Sequence, residues 1–152
     1  MSFDRLHHVG VTVADLGGML AFFRGLFGIE PVLRGVGEGP EVGRSVGLDD
    51  VRIEYAFLDL GNTRLELLQY DRPAGRPPAN LRSCDAGAIH LSFEVPDVFG
   101  THRSLAEQGF RFLSHPIELD ESHGALAGLR YVYLAGPEGL VVQLYEPATS
   151  RA

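Results

Sequence analysis

The chain has 152 residues, 45% hydrophobic and 22% charged, which fits one globular domain able to bury about two-thirds of its unfolded surface without a staple. Its 13 basic residues are all Arg and face 20 acidic ones, for a net charge of −7. The absence of lysine rules out Schiff-base chemistry and a phosphate-loop lysine, and the acidic balance argues against nucleic acid or an anionic membrane as partner.

A single cysteine, Cys84, leaves no internal disulfide framework and suits a reducing compartment. The longest stretch without Asp, Glu or Arg is nine residues, Leu6–Ala14, against the roughly 20 that a membrane span needs. The N-terminus has no basic segment followed by an apolar core, so the expected location is cytoplasmic.

The first element is a strand in which Val9, Val11 and Val13 alternate with His8, Gly10 and Thr12. Asp15 then caps a helix whose Met19, Phe22, Phe23, Leu26 and Phe27 recur at helical spacing, and Gly28 stops it. Strand-like stretches follow at Ile29–Arg34, Val51–Leu60 and Thr63–Tyr70, the last two joined by a tight turn at Gly61-Asn62. The segment 71–86, rich in Pro, Gly and Arg at its start, reads as a linker.

The pattern then begins again. His90, Val95, Asp97 and Gly100 repeat the frame of His8, Val13, Asp15 and Gly18 at an offset of 82 residues. Leu91, Phe93 and Val95 alternate with His90, Ser92 and Glu94. Asp97 caps a second helix carrying Val98, Leu105 and Ala106, which ends near Gly109. Strands are expected at Phe110–Ser114, Leu129–Ala135 and Leu140–Tyr145, with a turn at Pro137–Gly139. Strand, helix, strand, strand, strand thus occurs twice, over modules of about 6–70 and 87–146.

The last strand of each module carries one polar residue between aliphatic ones: Glu66 between Leu65 and Leu67, Gln143 between Val142 and Leu144. If the aliphatic faces pack on the helices, Glu66 and Gln143 share the opposite face with His8 and His90. Two imidazoles, one carboxylate and one amide oxygen form a donor set for one divalent metal ion: Zn, Ni, Co, Mn or Fe, which spacing does not distinguish. The remaining histidines, His7, His102, His115 and His123, have no repeat partner and read as loop or surface residues; a ligand contact is only the secondary reading for His115 and His123, which lie in the Gly-containing stretch Ser114–Gly128. Cys84 has no feature that would activate it.

These residues resemble the glyoxalase I / methylmalonyl-CoA epimerase branch of the vicinal-oxygen-chelate superfamily. The resemblance rests on four segments: Leu6–Leu16, Leu60–Gln69, Gly87–Val95 and Gly136–Leu144. It implies an α+β fold, a single domain over 1–152 in which two paired βαβββ modules form a cupped eight-stranded mixed sheet (the glyoxalase/bleomycin-resistance/dioxygenase fold). It also implies metal ligands at His8, Glu66, His90 and Gln143, and pairing as a homodimer. The family usually has Glu where Gln143 stands, and that glutamate can serve as catalytic base as well as ligand. An amide cannot take a proton near neutral pH.

The expected function is that of a metal-dependent isomerase, epimerase or lyase acting on a small carbonyl compound through a metal-stabilised enolate or enediolate. Glu54 is the candidate base, since Val51, Ile53, Tyr55 and Phe57 alternate with it and leave it on the other face. With Glu66 as the single anionic ligand, the metal is expected to be a stronger Lewis acid but more loosely held. A non-catalytic small-molecule-binding or resistance protein is the second reading, and a ring-cleaving dioxygenase the third. Arg52 and Arg130 are the candidate anion contacts.

Overall fold

The computed structural model describes residues 4–78 and 81–148. The chain divides into two compact units, Met1–Ala79 and Asn80–Ala152, with the boundary inside the segment read as a linker.

In the first unit, β1 (His8–Thr12) leads into α1 (Leu16–Phe27), followed by β2 (Pro31–Glu38), α2 (Pro40–Val46), β3 (Arg52–Asp59) and β4 (Arg64–Arg72). The sheet order is β1-β4-β3-β2, with β1 parallel to β4 and the other pairs antiparallel. Asp15 is extended (φ −131°) and its carboxylate accepts the Gly18 N–H at 2.9 Å, the capping arrangement its position predicts. The glycine three residues on has a steric reason: a Cβ there would stand 2.5 Å from Asp15 Oδ2. Gly28, with φ +68°, ends the helix and donates its N–H to the Arg24 carbonyl.

Leu16, Met19, Leu20, Phe23 and Leu26 are the buried stripe of α1. They lie with Val13, Ala56, Leu58, Leu65 and Leu67 in the core. Each of these side chains larger than Ala contributes about 1.5–3 kcal/mol of burial. Phe22 and Phe27, expected in that stripe, are only half-buried, because Leu16 and Leu20 complete it instead.

The second unit repeats the plan with β5 (His90–Glu94), α3 (Val98–Glu107), β6 (Ile117–Glu118), β7 (Arg130–Ala135) and β8 (Val141–Glu146), in the order β5-β8-β7-β6. Again the first and last strands are parallel. Asp97 caps α3 by accepting the Gly100 N–H at 2.9 Å. Val98, Leu105, Val132, Leu134, Val142 and Leu144 form the core. The architecture is therefore α+β, two βαβββ modules, with the eight strands in two four-stranded mixed sheets.

Two elements differ from the sequence reading. The first is α2, a seven-residue helix between β2 and β3, entered at Gly39-Pro40 and closed by Gly47 at φ +70°. The second is the strand expected at Phe110–Ser114. It makes a single bridge, Phe112 to Leu134, flanked by hydrogen bonds from Leu113 N to the Tyr133 carbonyl (2.8 Å) and from Ala135 N to the Arg111 carbonyl (2.9 Å). Pro116 has no N–H to continue a ladder, and pairing resumes only at Ile117–Glu118. The Gly61-Asn62 turn forms as read, with Leu60 N bonded to the Thr63 carbonyl at 2.9 Å.

Candidate active site

Register determines which side chains share the face of each sheet turned away from its main helix. In the first unit Gly10 and Phe57 both pair with Glu66, so these three and His8 lie on one face, while Leu65 and Leu67 go to the core. His8 Nε2 stands 3.4 Å from Glu66 Oε2. The His8 ring meets Phe57 edge-on, with centroids 5.7 Å apart. Gly10 lies beside the carboxylate: a Cβ at that position would be in ordinary van der Waals contact, 3.6 Å from Glu66 Oε2. The Glu66 side chain is 19% exposed and that of His8 40%. Tyr55 follows Phe57 on the same face and lies over Gly35, where a Cβ would stand 2.5 Å from its hydroxyl.

The second unit builds the same figure with different chemistry. Ser92 and Tyr133 both pair with Gln143, and His90 shares their face. The His90 ring meets Tyr133 edge-on at 5.3 Å, as His8 meets Phe57. Gln143 Nε2 donates to the Tyr133 hydroxyl at 3.0 Å. Tyr131, two residues earlier, packs against Tyr133 at 5.7 Å. The structure thus brings His8 to Glu66 in one unit and places His90 and Gln143 around Tyr133 in the other. Among the described residues no three His, Cys, Asp or Glu side chains are gathered around a common point.

Glu54 is on the wrong face for the role the sequence assigned to it. It pairs with Gln69, whose Oε1 accepts the Leu16 N–H at the start of α1 (2.8 Å), and Ala56 and Leu58 continue its side of β3 into the core. Its carboxylate is bonded to Arg52 at 3.2 Å. The alternation misled because Tyr55 and Phe57, the large apolar residues of β3, belong to the open face. Arg52 also pairs with Asp71 and, at 3.9 Å, Glu38. Arg130 binds Glu118 (3.0 Å) and Glu146 (2.8 Å) and lies 5.8 Å over the Phe99 ring. Both guanidinium groups are already committed to structural ion pairs.

His7, read as a loop residue, is a neighbour of the pair: its Nδ1 is 2.8 Å from His8 Nδ1. The adjacent histidines in the sequence were the available signal. His123 is bonded to Asp120 at 3.0 Å in the turn before β7, and Ser122 and His123 together hold the Asp120 carboxyl below its usual range. His102 and His115 border a hollow beside α3 of about 560 Å³, with ring centroids 5.9 Å apart. Burial, and secondarily the charge of His115, push the His102 pKa down. Cys84 is exposed.

Comparison with known proteins agrees with this architecture. The family described as the Glyoxalase/Bleomycin resistance protein/Dioxygenase superfamily matches residues 7–127. A 2-epi-5-epi-valiolone epimerase from an Actinomyces species is 35% identical over 144 residues, covering 91% of this chain and 77% of that one. The mitochondrial methylmalonyl-CoA epimerase of Homo sapiens is 31% identical over 124 residues, covering 79% of this chain and 62% of its own length. Among solved structures, a glyoxalase family protein from Bacillus cereus superposes with a TM-score of 0.81 at 23% identity, over 98% of this chain and 97% of that one.

Proposed function

Because the chain belongs to the glyoxalase/bleomycin resistance protein/dioxygenase superfamily, we propose that it is an epimerase that inverts a C–H stereocentre beside the carbonyl of a small molecule. Its similarity to a valiolone epimerase and to methylmalonyl-CoA epimerases supports that reaction class. The observation that carries the reading is the His8–Glu66 pair and its counterpart, His90 with Gln143, on the face of each sheet turned away from its main helix.

The His8–Glu66 pair has the spacing of two ligands of a divalent ion. Two ligands about 2.0–2.1 Å from a tetrahedral metal are about 3.3 Å apart, and His8 Nε2 and Glu66 Oε2 are separated by 3.4 Å. In the other unit the amide nitrogen of Gln143 is engaged by Tyr133, which leaves its oxygen as the donor. His8 and Glu66 in the first unit, and His90 and Gln143 in the second, are the side chains that would serve as ligands of such an ion, one of Zn, Ni, Co, Mn or Fe. When bound, such an ion polarises the substrate carbonyl and stabilises the enolate that forms on loss of the neighbouring proton.

The residues of the chain divide the remaining work. Gln143 cannot accept a proton and Glu54 faces away, which leaves Glu66 as the enclosed carboxylate for proton transfer. His8 holds that carboxylate in place. Phe57 and Tyr55 place aromatic rings beside His8 in the first unit, and apolar surface there limits water and strengthens electrostatic interactions.

The test is exchange of the substrate α-proton for deuterium in D2O, followed by NMR on protein purified without chelator, with methylmalonyl-CoA and 2-epi-5-epi-valiolone as probes. Exchange that chelator removes and a divalent ion restores is the expected result. A metal-loaded protein that exchanges neither compound overturns the epimerase reading in favour of a non-catalytic binding protein.

A further inference from the structure

We propose that the Tyr133 hydroxyl is a catalytic hydrogen-bond donor to the oxyanion formed on the substrate, and that Gln143 aims it; this rests on the epimerase reading above. Three observations carry the assignment. Tyr133 is the cross-strand partner of Gln143, shares a face with His90 and meets the His90 ring edge-on at 5.3 Å. The side chain is therefore among the proposed ligand residues.

The second observation is the direction of the hydrogen bond. Gln143 donates from Nε2 to the phenol oxygen at 3.0 Å. An amide nitrogen only donates, so the phenol proton cannot be used in that contact. It is left to point elsewhere, and among the described residues the hydroxyl donates to no protein acceptor. An O–H whose oxygen already accepts a bond is also a better donor.

The third is the comparison between the units. The counterpart of Tyr133 is Phe57, the cross-strand partner of Glu66, and Phe57 contacts His8 as Tyr133 contacts His90. The hydroxyl is present where the last strand carries an amide and missing where it carries a carboxylate. A carboxylate at 143 would accept a hydrogen bond from the phenol and so withdraw that donor from the substrate. The amide therefore changes what the tyrosine can do: its proton becomes available for an oxygen that gains charge when the α-proton leaves. No covalent bond to the protein forms and the phenol stays protonated.

The experiment is a double-mutant cycle on the full-length protein, reading kcat, KM and α-proton exchange with methylmalonyl-CoA and 2-epi-5-epi-valiolone. Y133F in the native background is expected to lower kcat by about 10²–10³-fold, the usual effect of losing one oxyanion donor, with KM changed less than about threefold. The same substitution on top of Q143E is expected to change kcat less than about threefold, because there the hydroxyl is already engaged. Native kcat in Y133F overturns the proposal, as does an equal loss in both backgrounds, which would mark a merely structural tyrosine.

Oxalate binding, measured by calorimetry, separates this proposal from the epimerase reading. Should the unsubstituted protein exchange neither probe while Y133F binds oxalate about tenfold more weakly, the donor stands and the epimerase reading fails. Equal oxalate affinity in a protein that exchanges neither probe ends both.

Discussion

At the scale of single residues, the unusual position is 143. It is the last-strand position of the second module, where the repeat and the resemblance both predict a ligand, and its side chain is neutral. Its amide is bonded to Tyr133 rather than free. Restoring a carboxylate should make the site hold a divalent cation more tightly: Gln143→Glu is expected to raise metal affinity about tenfold, the scale of one charge-assisted contact. Competition with a chelating dye, with occupancy read by elemental analysis, measures this, and unchanged occupancy would remove Gln143 from the ligand set. The placement of His8, Glu66, His90 and Gln143 on the open faces of their sheets was legible in the sequence because the duplication marks each position twice. Glu54 was misread because β3 is apolar on both faces. Alternation shows that two faces exist but not which one meets the helix, and Tyr55 over Gly35 shows how an aromatic residue comes to occupy the open one.

At the scale of elements, the caps carry the clearest correspondence between sequence and structure. Asp15 and Asp97, each three residues before a glycine, were read as helix starts and accept the expected N–H groups. The two helices should respond alike: Asp15→Ala and Asp97→Ala are each expected to cost about 1 kcal/mol of stability, measured by urea unfolding with an unchanged slope. A loss below a few tenths for either would mean that the cap is replaced by water at no cost. The short helix α2 was missed because seven residues between two positive-φ glycines give too little periodicity to detect. The broken strand before β6 was read as regular because the apolar residues Phe110, Phe112 and Leu113 precede Pro116 by only a few positions.

For the whole molecule, the acidic balance hides a local exception beside α3. His102 lies against His115, Phe112 and the hollow that Arg103 and Glu107 also border. Burial, then His115, lowers its pKa from the ordinary value of about 6.5. The sign follows: above that value His102 is neutral folded and unfolded, and its full contribution to stability is present. As the pH falls, the unfolded chain takes up the proton first, and stability is lost down through the folded pKa. The urea midpoint should therefore drop between pH 7.5 and 5.5, and His102→Gln should flatten that drop. An identical pH profile in the variant would show that the acid sensitivity arises elsewhere.

The two last strands also differ at a second position. Gln69 in the first unit and Glu146 in the second perform the same task, accepting the first N–H of the main helix: Leu16 N and Val98 N, each at 2.8 Å. Acid and amide have thus changed places between the halves, Glu66 with Gln69 and Gln143 with Glu146. Each strand keeps one negative charge across its two positions, but in one half it lies on the open face of the sheet and in the other at the start of the helix. Glutamate and glutamine codons differ by a single base, so each exchange is one nucleotide step. A duplicated gene could have travelled between a symmetric and a divided form by point mutation alone, its helix starts still supplied with an acceptor at every stage.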